Sequence, residues 1–348
     1  MGRWRRLLLI GVWPLAGGLS PQVPMLAYDP SVFDGVQPQP LPPPPPQPQR
    51  RPEKPSFRLT VDFAVIADSN TTNGTRLKEV PVLVGDARIP LPLDPRLRQK
   101  GGFGRSAAVS ASASVPIAPA ARLIASADAS YVDYPGSFSD DAWASASAGI
   151  ELGRGRGRTS LEAMLFDRWY AHESAMAGWG LRASHRQDLG HGQTLRLLAD
   201  GRIYRSGYGR AFDGKQGSVY LSYDAVLDPT LTASASLYAR RDALRDRAYA
   251  SNEVGGFASL SHYLGPDLTA SLSVGVGRAW FDAPIPLLAD DPRADWRPFG
   301  SLSLTTRRPL LWGFYPSLTY SYGRTMSNLP FYESDRHRLR LGIARTFQ

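Results

Sequence analysis

Residues 267–281 read DLTASLSVGVGRAWF. Leu268, Ala270, Leu272, Val274 and Val276 fall on one side of an extended chain, and Thr269, Ser271, Ser273 and Gly275 on the other. An apolar face backed by a small polar face at period two is a strand between two different solvents. The alternation recurs in Phe57, Leu59, Val61, Phe63 and Val65, in Leu123–Tyr131 and in Leu231–Leu237. We count fourteen such segments, near 57–68, 104–117, 120–134, 139–153, 156–169, 172–187, 192–206, 216–227, 229–241, 252–264, 267–281, 294–307, 313–326 and 334–347. Most run about a dozen residues, whereas strands of soluble domains cluster near 5–6 and a tilted bilayer-crossing strand needs about 9–11. The fold class expected is all-β: a transmembrane antiparallel up-and-down barrel of about 14 strands.

The connections mostly alternate in length as well, with two exceptions around 134–138 and 170–171 that are short where long ones are expected. Short ones at 116–119, 153–155, 188–192, 228–229, 265–267 and 308–312 interleave with others led by 69–102, 206–215, 242–251, 282–293 and 327–333. Outer-membrane barrels have short periplasmic turns and longer outer loops, so the cell outer membrane of a Gram-negative bacterium is the expected location. Trp143, Tyr170, Trp179, Trp280, Trp296, Trp312, Phe314 and Tyr322 lie near segment ends and are expected in the interfacial girdles.

The chain before the first strand reads differently. Arg3, Arg5 and Arg6 precede Leu7–Val12, and small residues follow at Ala16–Gly18, the pattern of a signal peptide over 1–27 with cleavage near 18 or 27. Residues 28–56 are expected to form a Pro-rich periplasmic spacer, with PQPLPPPPPQPQRRPEKP at its end expected in polyproline II form. The barrel occupies 57–348.

Composition excludes several chemistries. There is no cysteine, so no disulfide, thiolate metal site or thiol nucleophile. The net charge of +9 permits anionic partners without naming them. Gly209–Gln216 imitates a phosphate-binding loop but lacks the hydroxyl after Lys215. His172-Glu173 begins a zinc-protease pattern whose second histidine is Met176. Asp68–Gly74 has the flavour of a calcium loop at the wrong spacing, and Gly153–Gly157 is better read as a tight basic turn than as an RNA-binding element. No enzyme, cofactor, metal site or nucleic-acid partner is expected.

Two stretches carry a family resemblance. FRLTVDFAVIADSNTTNG, with its Asp68-Ser69-Asn70 turn, resembles the opening of the barrel in the surface lipoprotein assembly modifier family. The closing stretch resembles that family's last hairpin through Arg324, Ser327, Asn328, Tyr332, Asp335, Arg336 and Phe347. The resemblance implies a fourteen-stranded barrel that assists translocation or surface display of a partner lipoprotein. The family's familiar members carry a periplasmic helical-repeat domain. About 30–38 residues before the barrel are too few for the roughly three repeats of about 34 residues that stability needs, so the expectation is that this domain is missing or is supplied by a separate periplasmic partner. Leu341, Ile343 and Phe347 share a face of the last strand and resemble the signal read by the barrel assembly machinery. Outer-membrane lipid and lipopolysaccharide complete the expected partners. A passive small-solute pore and a polysaccharide-export barrel are the alternatives.

First and last strands of a closed barrel are neighbours, so the two motif sets should meet at a seam near the outer rim. Asp68 with Arg324, or Asp335 with an arginine, are the bonds expected there.

Overall fold

The computed structural model describes residues 54–348 except 85, 86, 137, 138, 172, 266, 287, 307 and 310. The expected signal peptide, nearly all of the spacer and His172 lie outside the described residues. Fourteen strands close into one antiparallel barrel. They are β1 (Ser56–Asp68), β4 (Gly102–Ala118), β5 (Ala121–Asp133), β6 (Asp141–Arg154), β7 (Gly157–Tyr170), β8 (Glu173–Gly190) and β9 (Gln193–Arg205), followed by β10 (Gly214–Asp228), β11 (Leu231–Leu244), β12 (Ser251–Tyr263), β13 (Leu268–Phe281), β14 (Ala294–Thr306), β15 (Tyr315–Ser327) and β16 (Ser334–Phe347). All fourteen segments read from period two are present. A hairpin that the alternation did not disclose, β2 (Glu79–Val84) with β3 (Ala87–Pro92), sits in the long first connection. Among the described residues no helix is long and apolar enough to cross a membrane; the chain crosses with strands.

Closure leaves no unpaired edge, which the bilayer interior demands of a sheet. β1 pairs with β16 from Leu59–Phe347 to Asp68–Arg338, and with β4 from Ser56–Ser114 to Asp68–Gly102. The faces follow the alternation. Phe63, Val65, Leu237, Leu272, Val274 and Leu341 are exposed on the outside, while Ser236, Thr269, Ser271, Ser273 and Ser303 are buried inside. Serine hydroxyls bond across strands on the lumen side, as in Ser261–Ser271 at 2.8 Å and Ser273–Ser259 at 3.0 Å. Where bulk enters the lumen, glycine makes room: a Cβ on Gly275 would come within 2.3 Å of the Phe299 ring.

Both chain ends of the barrel lie at the same rim as the short connections 119–120, 155–156, 191–192 and 229–230. Gly155, at φ 58°, supplies the left-handed residue of the tight turn between β6 and β7. This rim is the periplasmic one, and the long connections mark the outer rim.

The aromatic residues divide in two. Trp179, Trp280, Trp296 and Trp312 are exposed on the outside, where girdles belong. Trp143 and Tyr170 do not join them. Trp143 stacks on Phe166 at 5.6 Å and Tyr170 is buried, both on the lumen side, because their strand parity turns them inward.

Candidate functional site

Three structures build the outer end of the barrel: a polar staple at the β1–β16 seam, a row of buried ion pairs, and an apolar core across the mouth. The staple centres on Asp68, the last residue of β1, whose side chain has no solvent exposure. Arg336 on β16 donates from Nη2 to Asp68 Oδ2 at 2.6 Å and from Nε to both carboxylate oxygens at 3.0 Å. The Tyr134 hydroxyl donates to Oδ2 at 2.6 Å, and the Asn70 backbone N–H to Oδ1 at 2.9 Å. Arg338 stands 3.4 Å away. Burial pushes the Tyr134 phenol above its usual range, so it remains a donor.

The next two residues extend the seam past the strand. Ser69 N–H donates to His337 O at 2.9 Å, and Ser69 Oγ accepts from His337 N–H at 2.8 Å. Asn70 is fully buried. Its Nδ2 donates to Gly74 O and to Asp335 O, and its Oδ1 accepts from Gly74 N–H and Thr72 Oγ1. The turn therefore folds the first loop and grips β16 with the same side chain. Arg76 then donates to the Asp335 carboxylate at 2.6 Å.

Of the expected site residues, Asp68, Ser69, Asn70, Asp335 and Arg336 come together at the seam. Ser327 and Asn328 stand one hairpin away. Ser327 Oγ accepts from Leu329 N–H, and Asn328 spans to the β13–β14 loop, accepting from Ala294 N–H at 2.7 Å and donating to Pro292 O at 3.0 Å. Arg324 does not reach Asp68. Its place on β15 faces the outside, opposite Asp335 in register, and it is exposed. Leu341, Ile343 and Phe347 line the lipid face of β16, all exposed.

Tyr332 belongs to the mouth. It joins a buried apolar cluster with Val80, Leu93, Phe212, Tyr249, Ile285 and Phe331. The members come from five outer connections and from the ends of β7, β8 and β9, positions spread around the whole ring. A single cluster with such members lies across the mouth. The Arg293 guanidinium covers the Tyr332 ring at 3.7 Å, and burial pushes the Tyr332 phenol upward.

Beneath this core the lumen is filled by paired charges. Arg293, Asp295 and Arg297 are all nearly inaccessible; Asp295 bonds Arg293 at 2.5 Å and Arg297 at 2.9 Å, and Arg297 reaches Glu253 at 2.7 Å. Asp200 with Arg202 and Arg240 with Asp242 repeat the device. These groups escaped the sequence reading, although a signal exists. Opposite charges two residues apart on the polar parity, as in Arg293-x-Asp295-x-Arg297, share one face of a strand. Among the described residues no group of three or more His, Asp or Glu side chains is placed to hold a metal ion.

The sequence pattern of one family, described as surface lipoprotein assembly modifier, matches residues 110–347. The chain belongs to this family. The match takes in the closing hairpin with Arg324, Ser327, Asn328, Tyr332, Asp335, Arg336 and Phe347, and begins after the Asp68–Asn70 turn. No curated protein matches the sequence. Among solved structures, this family member is similar to a loop-deletion mutant of OmpT, an outer-membrane protein of Vibrio cholerae, at 5% identity over 84% of this chain and 99% of that one, with a TM-score of 0.48. A mutant of the TodX monoaromatic hydrocarbon channel shares 11% identity over 85% and 91%, with a TM-score of 0.45. A bacterial polysaccharide outer membrane secretin shares 12% over 83% and 98%, with a TM-score of 0.42.

Proposed function

We propose that this outer-membrane barrel assists the translocation or surface display of a partner lipoprotein or protein in a Gram-negative bacterium. One observation carries the reading beyond family membership. The outer end of the lumen is occupied by a packed apolar core over buried ion pairs, which suits a barrel that opens for a cargo better than a standing solute pore. In this reading no covalent bond is made, no cofactor or nucleic acid takes part, and a separate periplasmic protein delivers the cargo. The barrel assembly machinery inserts the chain through the Leu341–Phe347 strand into a bilayer of lipid and lipopolysaccharide. A passive solute pore and a polysaccharide-export barrel are the competing readings.

The test is co-expression with candidate lipoproteins of the same bacterium, reading surface display by antibody on intact cells. Display that needs the barrel is the expected result. Equal display without it, together with steady conductance of the purified barrel in planar bilayers, would favour the solute pore. A disulfide between Val65→Cys and Leu341→Cys, which face each other across the seam, separates two mechanisms. Normal display from the locked barrel makes the Asp68–Arg336 staple purely structural; loss of display with the barrel still folded places opening at the seam.

A further inference from the structure

Three adjacent strands carry, near the periplasmic rim, a row of like charges. Arg158 on β7 lies opposite Arg186 on β8, and Arg186 lies opposite Arg196 on β9. All three share the parity of the lumen-facing residues of their strands. Directly opposed like charges destabilise a sheet, and this barrel avoids them elsewhere on the same strands. Four residues nearer the outer rim, the corresponding row is Glu162, Arg182 and Asp200, alternating in sign. Between the two lies Ser160, Ser184 and Leu198, closed by a 2.8 Å hydroxyl bond between the serines.

Among the described residues, ion pairs form at the ends of the basic row, while Asp224 and Asp188 act on Arg186 from a longer distance. Asp224 lies 3.0 Å from Arg196, and Glu151 lies 4.0 Å from Arg158. Among the described residues no carboxylate makes an ion pair with Arg186, which is exposed. Arg122 on β5, also lumen-facing, has Nε and Nη2 buried without a hydrogen-bond partner. Arg186 and Arg196 are exposed here, in contrast to the buried charges of the outer end.

We propose that the Arg158–Arg186–Arg196 row is a docking site for an acidic segment of a polypeptide that enters the barrel from the periplasm. The inference rests on the translocation reading for the direction of entry, and on the row itself for its chemistry. Guanidinium groups pair with carboxylates in forked geometry. The row spans two strand spacings, about 9–10 Å, and an extended chain advances about 3.3 Å per residue. Carboxylates three residues apart on an extended segment, about 10 Å, therefore match the full length of the row from Arg158 to Arg196, which a single compact anion does not span. The end of the segment before the barrel, with Arg50, Arg51 and Lys54, does not have the complementary charge.

The test uses the full chain folded in detergent, with a fluorescent hexa-aspartate peptide read by anisotropy at low and physiological salt. Binding that weakens with salt and falls at least tenfold in Arg186→Glu, but not in the outward-facing Arg324→Glu, is the expected result; heat-modifiability on gels checks that each variant is folded. Equal binding by Arg186→Glu, or by a hexaserine peptide, overturns the proposal. So does full competition by inorganic phosphate at equal charge concentration, which would make the row a small-anion site. An anion-selective bilayer conductance that Arg186→Glu abolishes would overturn it too, by making the row a pore filter. Because the peptide assay needs no cargo, its failure leaves the display experiment to decide the translocation reading separately.

Discussion

The two halves of the lumen are built from the same residue types to opposite ends. Toward the outer rim, arginine and acidic residues alternate on one face and are buried together: Asp295 and Arg293 are all but inaccessible, and Arg297 bridges Asp295 to Glu253. Toward the periplasmic rim, Arg158, Arg186 and Arg196 stand side by side, and Arg186 and Arg196 are exposed. Burial makes complementary pairing obligatory, because an uncompensated charge in a dry interior is costly. Water removes that demand and lets like charges coexist. The comparison teaches that the chain packs one end of its lumen with paired charges and lines the other with a row of arginines.

The largest expected effect tests the dry half. Asp295→Ala strands the Arg293 guanidinium in a packed interior and leaves Arg297 with Glu253 alone, and should cost about 3–5 kcal/mol in urea unfolding from lipid vesicles. Asp224→Ala removes a carboxylate of similar chemistry from the exposed half and should cost about 1 kcal/mol or less, since its ion pair with Arg196 is about a third to a half exposed. Equal costs would erase the distinction between the halves.

A second pair of variants tests inside against outside. Ala235→Arg places a charge on the lipid face of β11 and should cost about 2–4 kcal/mol near the midplane, whereas Ser234→Arg, directed into the lumen, should cost much less. The reverse order in the same unfolding assay would mean that the faces are exchanged.

A smaller effect concerns the mouth alone. Tyr249 lies in the β11–β12 loop and packs against Phe212 at 5.0 Å. Burial pushes its phenol up to about 12. A phenol raised in the folded state contributes stability that is complete below its free value near 10 and is lost as pH rises toward 12. Protease cleavage of the outer loops should therefore increase between pH 10 and 12, and Tyr249→Phe should blunt the increase. Cleavage independent of pH, with the strands intact, would show that the apolar core does not hold the loops.

Much of the barrel was legible because its information is local. Each strand repeats the same period-two pattern, so residues such as Leu272 and Ser273 announce their faces without reference to any partner. Short turns such as 155–156 set the rim by their length. The seam motif was legible as residues and not as bonds: Asp68, Asn70, Asp335 and Arg336 stood out, but the partner of Asp68 proved to be Arg336, with Tyr134 added, while Arg324 turned outward. Parity decides this, since residues 324 and 336 lie on opposite faces of their strands once the register is set. The same parity moved Trp143 and Tyr170 from the expected girdle into the lumen.

The sequence by itself therefore determined the number of barrel strands, which face of most strands meets lipid and which meets the lumen, and which rim carries the loops, because alternation and turn length act over a few neighbouring residues. Only the tertiary structure decided what stands beside what. The mouth core joins Val80 to Phe331 through five loops around the ring, and the basic row exists because β7, β8 and β9 adopt one relative register among those their length would allow. A shift of two residues in either pairing preserves every face and dissolves the row; register is fixed by turns and by closure of the whole sheet, and no single strand contains it.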